Sequence, residues 1–308
     1  MKPIFYSLFF ILSLILVGCE KKEPVDQDDL VERNGLWYEK FSKEPYTGEM
    51  VDWSEEGQLE GNGFYDKGLK KGLWEIIKDG SPVEKGHYKE GLKTGLWKDQ
   101  TDGGEIGKGN YENGEKEGLW NYFYQNGQLS FTGNYRDGKE DGLWEGFYED
   151  GKPKSIGNYK DGELDGAVET FFEDGTLEIR TNYKNGKLDG FSEHFHENGK
   201  LRTREYYKDG KKDGLWESFH ENGSLKMKGH LKDGKEVGIY KIYYENDQLG
   251  GIDNYKNGKK DGLQERFPKK SNKKDDWVKT LPNLKYPKCF DMGDEVDMSF
   301  CYGVKNDK

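Results

Sequence analysis

Apolar side chains in this chain come in short alternating runs, each closed within about ten residues by Gly, Asn or Asp. The stretch "GLWEGFYEDGKPKSIGNYKDGELDG", Gly142 to Gly166, is representative. In its first half Leu143 and Phe147 fall on one side of an extended chain, and Trp144 and Tyr148 on the other. The same alternation recurs as Leu119/Phe123 against Trp120/Tyr124 and as Ile239/Tyr243 against Tyr240/Tyr244. Both faces of a sheet built from these runs therefore carry apolar rows.

The runs are periodic. "GLW" stands at Gly72, Gly95, Gly118, Gly142 and Gly214, and altered forms at Gly166 (GAV), Gly190 (GFS), Gly238 (GIY) and Gly262 (GLQ). Steps are 24 residues apart from two of 23, and "YTGEM" around Gly48 lies one period before Gly72. About nine units follow, the mark of a repeat architecture. Each unit carries two turn signals. One is the dipeptide at Asn126-Gly127, Asp150-Gly151, Asp174-Gly175, Asn198-Gly199 and Asn222-Gly223, read as a hairpin turn with both residues at positive φ. The other is a longer connection such as Tyr135 to Gly142. The expectation is an all-β fold: an elongated single-layer antiparallel β-meander of about nine hairpin repeats.

Two further columns run through the units. A leucine recurs at Leu129, Leu177, Leu201, Leu225 and Leu249, and a tyrosine at Tyr111, Tyr135, Tyr159, Tyr183, Tyr207 and Tyr255. A glycine precedes several of these tyrosines (Gly109, Gly133, Gly157), leaving room for a neighbouring ring. Trp74, Trp97, Trp120, Trp144 and Trp216 are expected to lie over such glycines and, with the tyrosines, to form a structural aromatic ladder along the whole array.

Composition limits the alternatives. A chain of 308 residues with 32% apolar and 35% charged residues is poor in material for one large core, yet 20 Tyr, 16 Phe and 8 Trp exclude simple disorder. A formal charge of −11 opposes nucleic acid as a partner. Asp137, Asp141, Asp161 and Asp165 offer oxygen ligands for calcium, but without the ligand alternation of an EF-hand loop they read as turn caps. His194, His196 and His220 suggest a metal cluster, although His196 and His220 occupy a slot held elsewhere by Tyr148, Phe172 and Tyr244. No GxSxG element or Cys–His pair accompanies them, so neither an enzyme nor a cofactor is expected. Exposed Trp and Tyr rows would make a glycan-stacking surface, the carbohydrate-binding alternative.

The termini depart from the period. Residues 1–18 combine Lys2, an apolar run from Ile4 to Val17 and "LVGC" ending at Cys19. This resembles a bacterial lipoprotein signal peptide, which implies cleavage before Cys19, lipidation of that cysteine and export to a membrane surface. Residues 19–34 read as a charged, flexible tether, 35–267 as the array, and 268–308 as a cap or tail. Cys289 and Cys301 form an even pair that favours a disulfide in an exported chain; two free thiols are the alternative.

The iterated pattern, together with "EPYTGEMVDWSEEGQLEGNGFYDKG" before it, resembles the bacterial MORN-repeat-variant family over roughly residues 45–266. The resemblance implies a non-catalytic β-meander that serves as a scaffold or binding surface, here for a protein partner. Some bacterial members are labelled as antitoxins, and with a lipoprotein leader the corresponding role would be immunity outside the membrane. Membrane contact is then expected through the lipid alone.

Overall fold

The structure, a computed structural model, describes residues 23–269 together with the backbone of 288–291 and 294–296. The leader, Cys19 and Cys301 lie outside the described residues. The chain divides into two compact units, Met1–Leu92 and Lys93–Lys308.

In the first unit, β1 (Val25–Asp26) pairs in parallel with β4 (Gly48–Trp53), and β2 (Leu30–Arg33) and β3 (Leu36–Glu39) form a separate hairpin. The meander continues antiparallel through β5 (Leu59–Asp66), β6 (Leu69–Lys78) and β7 (Ser81–Lys89). Leu30, Tyr46, Met50, Tyr65 and Trp74 form a buried core, with the Trp37 ring 5.7 Å from Tyr65. Residues 25–26 and 30–33 are thus paired strands, joined by a 3-10 turn at Gln27–Asp29, where a flexible tether was expected. Leu30 in the core outweighs the surrounding charges that suggested a linker.

The second unit is an antiparallel meander in which successive strands pair. It runs through β8 (Leu92–Gln100), β9 (Ile106–Glu112), β10 (Glu115–Phe123), β11 (Leu129–Arg136), β12 (Lys139–Phe147) and β13 (Pro153–Lys160). It continues through β14 (Glu163–Phe171), β15 (Leu177–Lys184), β16 (Lys187–Phe195), β17 (Leu201–Lys208) and β18 (Lys211–Phe219). β19 (Leu225–Lys232), β20 (Lys235–Tyr243), β21 (Leu249–Lys256), β22 (Lys259–Lys260) and β23 (Gly262–Arg266) complete the array. The backbone of β24 (Lys288–Asp291) then pairs with β23, and β25 (Asp294–Val296) pairs with β24. Cys289 therefore lies on a strand bordering the last repeat.

The two turn types exchange the roles that their sequences suggest. Between β10 and β11 only Gly127 has a positive φ (85°), while Asn126 accepts a bond from the Gln128 amide through Oδ1 at 2.9 Å. The Gly127 amide donates to Tyr124 O and the Tyr124 amide to Gln128 O, which makes a five-residue turn rather than a two-residue one. The tight turn lies instead between β11 and β12, where Asp137 (φ 48°) and Gly138 (φ 75°) are both left-handed. The connection expected from Tyr135 to Gly142 is mostly strand, interrupted where Gly133 pairs with Trp144 but Asn134 with Asp141. That shift inserts Gly142 and Leu143; two extra residues preserve the alternation, so Glu140 and Trp144 stay on the same face.

Both turn ends bind a neighbouring repeat. Gly138 donates its amide to Lys116 O, Gly162 to Glu140 O and Gly186 to Leu164 O. At the other end Tyr124 Oη donates to Phe147 O and Tyr148 Oη to Phe171 O. Tyr148 therefore belongs to a turn and not to the Trp row, because the register shift between Gly146 and Phe147 ends the strand before it. A hairpin alone leaves these groups without partners, and stacking supplies them.

Candidate interaction surface

The aromatic face is assembled from the bulge outward. Gly142 and its equivalents turn the strand so that the following Trp crosses the preceding strand at its glycine: Trp144 covers Gly133, Trp120 covers Gly109 and Trp74 covers Gly63. Trp120 Nε1 donates to Asn110 O (3.0 Å) and Trp144 Nε1 to Asn134 O (3.2 Å), so the indoles lose no hydrogen bond on burial. Ring centroids are 5.8 Å apart for Trp97–Tyr111, 5.3 Å for Tyr111–Trp120, 6.1 Å for Trp120–Tyr135, 5.1 Å for Tyr135–Trp144 and 6.1 Å for Trp144–Tyr159, mostly edge to face. Lys93 and Lys116 lie over this row at 4.2 and 4.3 Å from the Trp97 and Trp120 centroids. Burial lowers the pKa of the Lys116 ammonium below the ordinary lysine value.

The row does not run unbroken. Val168 and Ser192 stand where Trp would be, and Glu205 stands where Gly109 and Gly133 do. A polar cluster fills the gap: Glu205 accepts from Lys212 Nζ (2.8 Å), Tyr207 Oη (2.9 Å) and Trp216 Nε1 (3.1 Å). Burial opposes the carboxylate charge, but these three donors hold its pKa below the usual glutamate value. His194 Nε2 lies 3.4 Å from Ser192 Oγ, and burial lowers its pKa. Ser192, His194 and Glu205 have the composition of an acyl-transfer site. However, Glu205 is committed to Lys212, Tyr207 and Trp216, so it does not orient the imidazole as such chemistry requires. The ladder resumes with Trp216, Tyr240 and Tyr255, at 6.1 and 5.0 Å, whereas Tyr183 stands in the interrupted stretch.

The opposite face is exposed. After five of the bulge glycines in the second unit a large apolar side chain is exposed to solvent: Leu96 is 70% exposed, Leu119 54%, Leu143 47%, Phe191 44% and Ile239 56%, while Leu215 and Leu263 at the same position are half-buried. Beside this stripe runs a ladder of alternating charge across β14 to β18. Arg180 Nε meets Glu169 at 2.8 Å, Arg204 Nε meets Glu193 at 2.9 Å, and the outer nitrogens reach Glu193 (3.8 Å) and Glu217 (3.6 Å). The Arg204 guanidinium also lies 5.9 Å from the Phe191 ring, which ties stripe and ladder together. Sequence reasoning did not single out this ladder; its signal is a Glu at 169, 193 and 217 with Arg at 180 and 204, each one period apart.

The histidines do not converge. His196 and His220 sit at turns, where His220 Nε2 lies 3.0 Å from Tyr243 O and His196 Nε2 is buried without a hydrogen-bond partner. Asp137 and Asp161 are left-handed turn residues, and Asp141 pairs with Arg136 at 2.6 Å. Among the described residues no group of three or more His, Cys, Asp or Glu is placed to hold a metal ion.

Geometry and period together define a class: a tandem-repeat β-meander with one self-packed aromatic face and one exposed mixed face. Six consecutive segments of the second unit, residues 116–137, 140–161, 164–185, 188–209, 212–233 and 236–257, match the family described as MORN repeat variant. No curated protein matches the chain. A solved structure titled "Crystal Structure of TcdB2-TccC3-Cdc42" is similar at 10% identity and TM-score 0.15, over 71% of this chain and 13% of that one.

Proposed function

We propose that the chain is a non-catalytic interaction scaffold, tethered to a bacterial membrane surface through a lipid on Cys19, whose mixed face binds a protein partner. The observation that carries this reading is the stripe of Leu96, Leu119, Leu143, Phe191 and Ile239, apolar side chains one or two periods apart left in solvent beside fixed charges. A partner covering it would bury apolar area at its centre and meet the Glu–Arg ladder at its rim. Glycan stacking has less support, because the Trp97 and Trp120 rings are 2% and 0% exposed.

The test is affinity capture from crosslinked membrane fractions with the wild-type chain and a Leu96→Ser, Leu119→Ser, Leu143→Ser variant. A protein captured by the wild type and lost with the variant supports the scaffold. Equal capture by both, or binding of purified repeats to peptidoglycan alone, overturns it. Cys19→Ala should move the protein to the soluble fraction; retention on membranes would refute the lipid tether.

A further inference from the structure

In three repeats the aromatic row carries its own cation. Lys70 lies 4.4 Å from the Trp74 and 5.2 Å from the Tyr88 centroid, Lys93 lies 4.2 and 5.0 Å from Trp97 and Tyr111, and Lys116 lies 4.3 and 5.2 Å from Trp120 and Tyr135. In each case the lysine stands four residues before the Trp. Four residues before Tyr240, which occupies the Trp position over Gly229, the residue is Glu236. That repeat keeps the ring pair, Tyr240 and Tyr255 at 5.0 Å, but places a carboxylate where the others place an ammonium.

A second substitution opens the space. Leu231 replaces the tyrosine that in other repeats stands at 135, 159, 183, 207 and 255. The missing ring leaves a cleft of about 270 Å³, lined among others by Trp216, Tyr240, Tyr255, Met227 and Glu236. Lys212 also borders it, but its ammonium is neutralised by Glu205 at 2.8 Å. Among the described residues no hydrogen bond or ion pair engages the Glu236 carboxylate, so the one charge at this cleft left uncompensated is negative. By contrast Glu140, at the same repeat position before Trp144, accepts from Tyr135 Oη at 3.5 Å.

We propose that the cleft between Trp216, Tyr240 and Tyr255, with Glu236 at its side, is an aromatic cage that receives an alkylammonium group from outside, the lysine side chain of a protein partner. Three internal copies show this ring arrangement holding a lysine ammonium, and aromatic faces attract such cations by about 0.5–2 kcal/mol according to desolvation. The chain's charge of −11 favours a basic partner. This inference rests on the scaffold reading above for the source of the lysine, not for the chemistry of the cage.

The experiment is a titration of the full ¹⁵N-labelled chain with Nα-acetyl-lysine methylamide, observed at the Trp216 indole N–H, which is assigned from a Trp216→Phe spectrum. The uncharged norleucine analogue is the control. A saturable shift with the lysine derivative alone is expected, weakened about fivefold in Glu236→Gln and absent in Glu236→Lys, where the built-in ammonium fills the cage. No shift, or equal shifts with both analogues, overturns the cage even if Glu236→Lys does not fold. Saturation by phosphocholine vesicles without response to the lysine derivative overturns the assignment to a protein lysine. Because the probe is a small molecule on the aromatic face, these outcomes are independent of partner capture by the Leu96, Leu119 and Leu143 stripe.

Discussion

The indole of Trp144 lies against the backbone of Gly133 so closely that a Cβ at residue 133 would clash with the ring atoms Cδ2 and Cε2. One repeat later the ring is gone: at Gly157 an added Cβ would lie 3.3 Å from Val168 Cγ2, a contact that a small shift relieves. Gly133→Ala should therefore destabilise the second unit by about 1–3 kcal/mol or more, and Gly157→Ala by clearly less. Urea unfolding midpoints decide this, and equal losses would show that Trp144 yields easily.

Neighbouring residues on opposite faces should separate stability from binding. Trp120 is fully buried and donates to Asn110 O, so Trp120→Ala should lose about 3–5 kcal/mol. Leu119 is 54% exposed, and Leu119→Ala should stay within about 0.5 kcal/mol. Thermal melts of both variants beside the capture assay check the division: Leu119→Ala should bind poorly while melting normally.

Acid should weaken the interruption between the two aromatic stretches. His194 has its pKa lowered from 6.5 in the fold, chiefly by burial, so the folded state disfavours the imidazolium. Stability from the neutral ring is complete above pH 6.5 and declines as pH falls from there through the lowered folded value. Glu205, whose pKa lies below 4.5, adds a second loss as pH falls from about 4.5 through its own lowered value. Melting temperature against pH for wild type and His194→Phe tests this; the variant should lose the upper step and keep the lower one.

The charge ladder should respond to salt. Arg180 and Arg204 are 48% and 37% exposed, so each pair with Glu193 is worth at most about 1 kcal/mol. Glu193→Gln should destabilise by about 0.5–1 kcal/mol at low ionic strength and by almost nothing at ~1 M salt. A deficit that persists at high salt would assign Glu193 a packing role.

Period and faces were legible because each repeat marks its turns with glycine and its row with a ring. The glycine beneath Trp144 was readable for the same reason, since no other residue leaves room for an indole there. The turn types were not: Asp137-Gly138 and Asp150-Gly151 have the same sequence, and only cross-strand pairing makes the first a tight turn. The break in the ladder was written as Val168 and Ser192, but its chemistry lay elsewhere. Glu205, Lys212 and Trp216 meet only through the bulge that aligns β17 with β18. The cage at Glu236 required both a substitution and the space left by Leu231, neither of which is informative alone.

In four hairpins the ring at the end reaches the backbone of the next one: Tyr124 to Phe147, Tyr148 to Phe171, His220 to Tyr243 and Tyr244 to Phe267. Phe172 has no polar atom for this bond, and the His196 nitrogen makes none. Two consecutive clasps are therefore missing in the segment that has also lost its tryptophans. In a chain of units stabilised only by neighbours, cooperativity is as strong as its poorest joint. Under tension or partial denaturation the array should part here first, releasing the stretch ending near Phe171 and the stretch beginning near Trp216 as separate folding blocks.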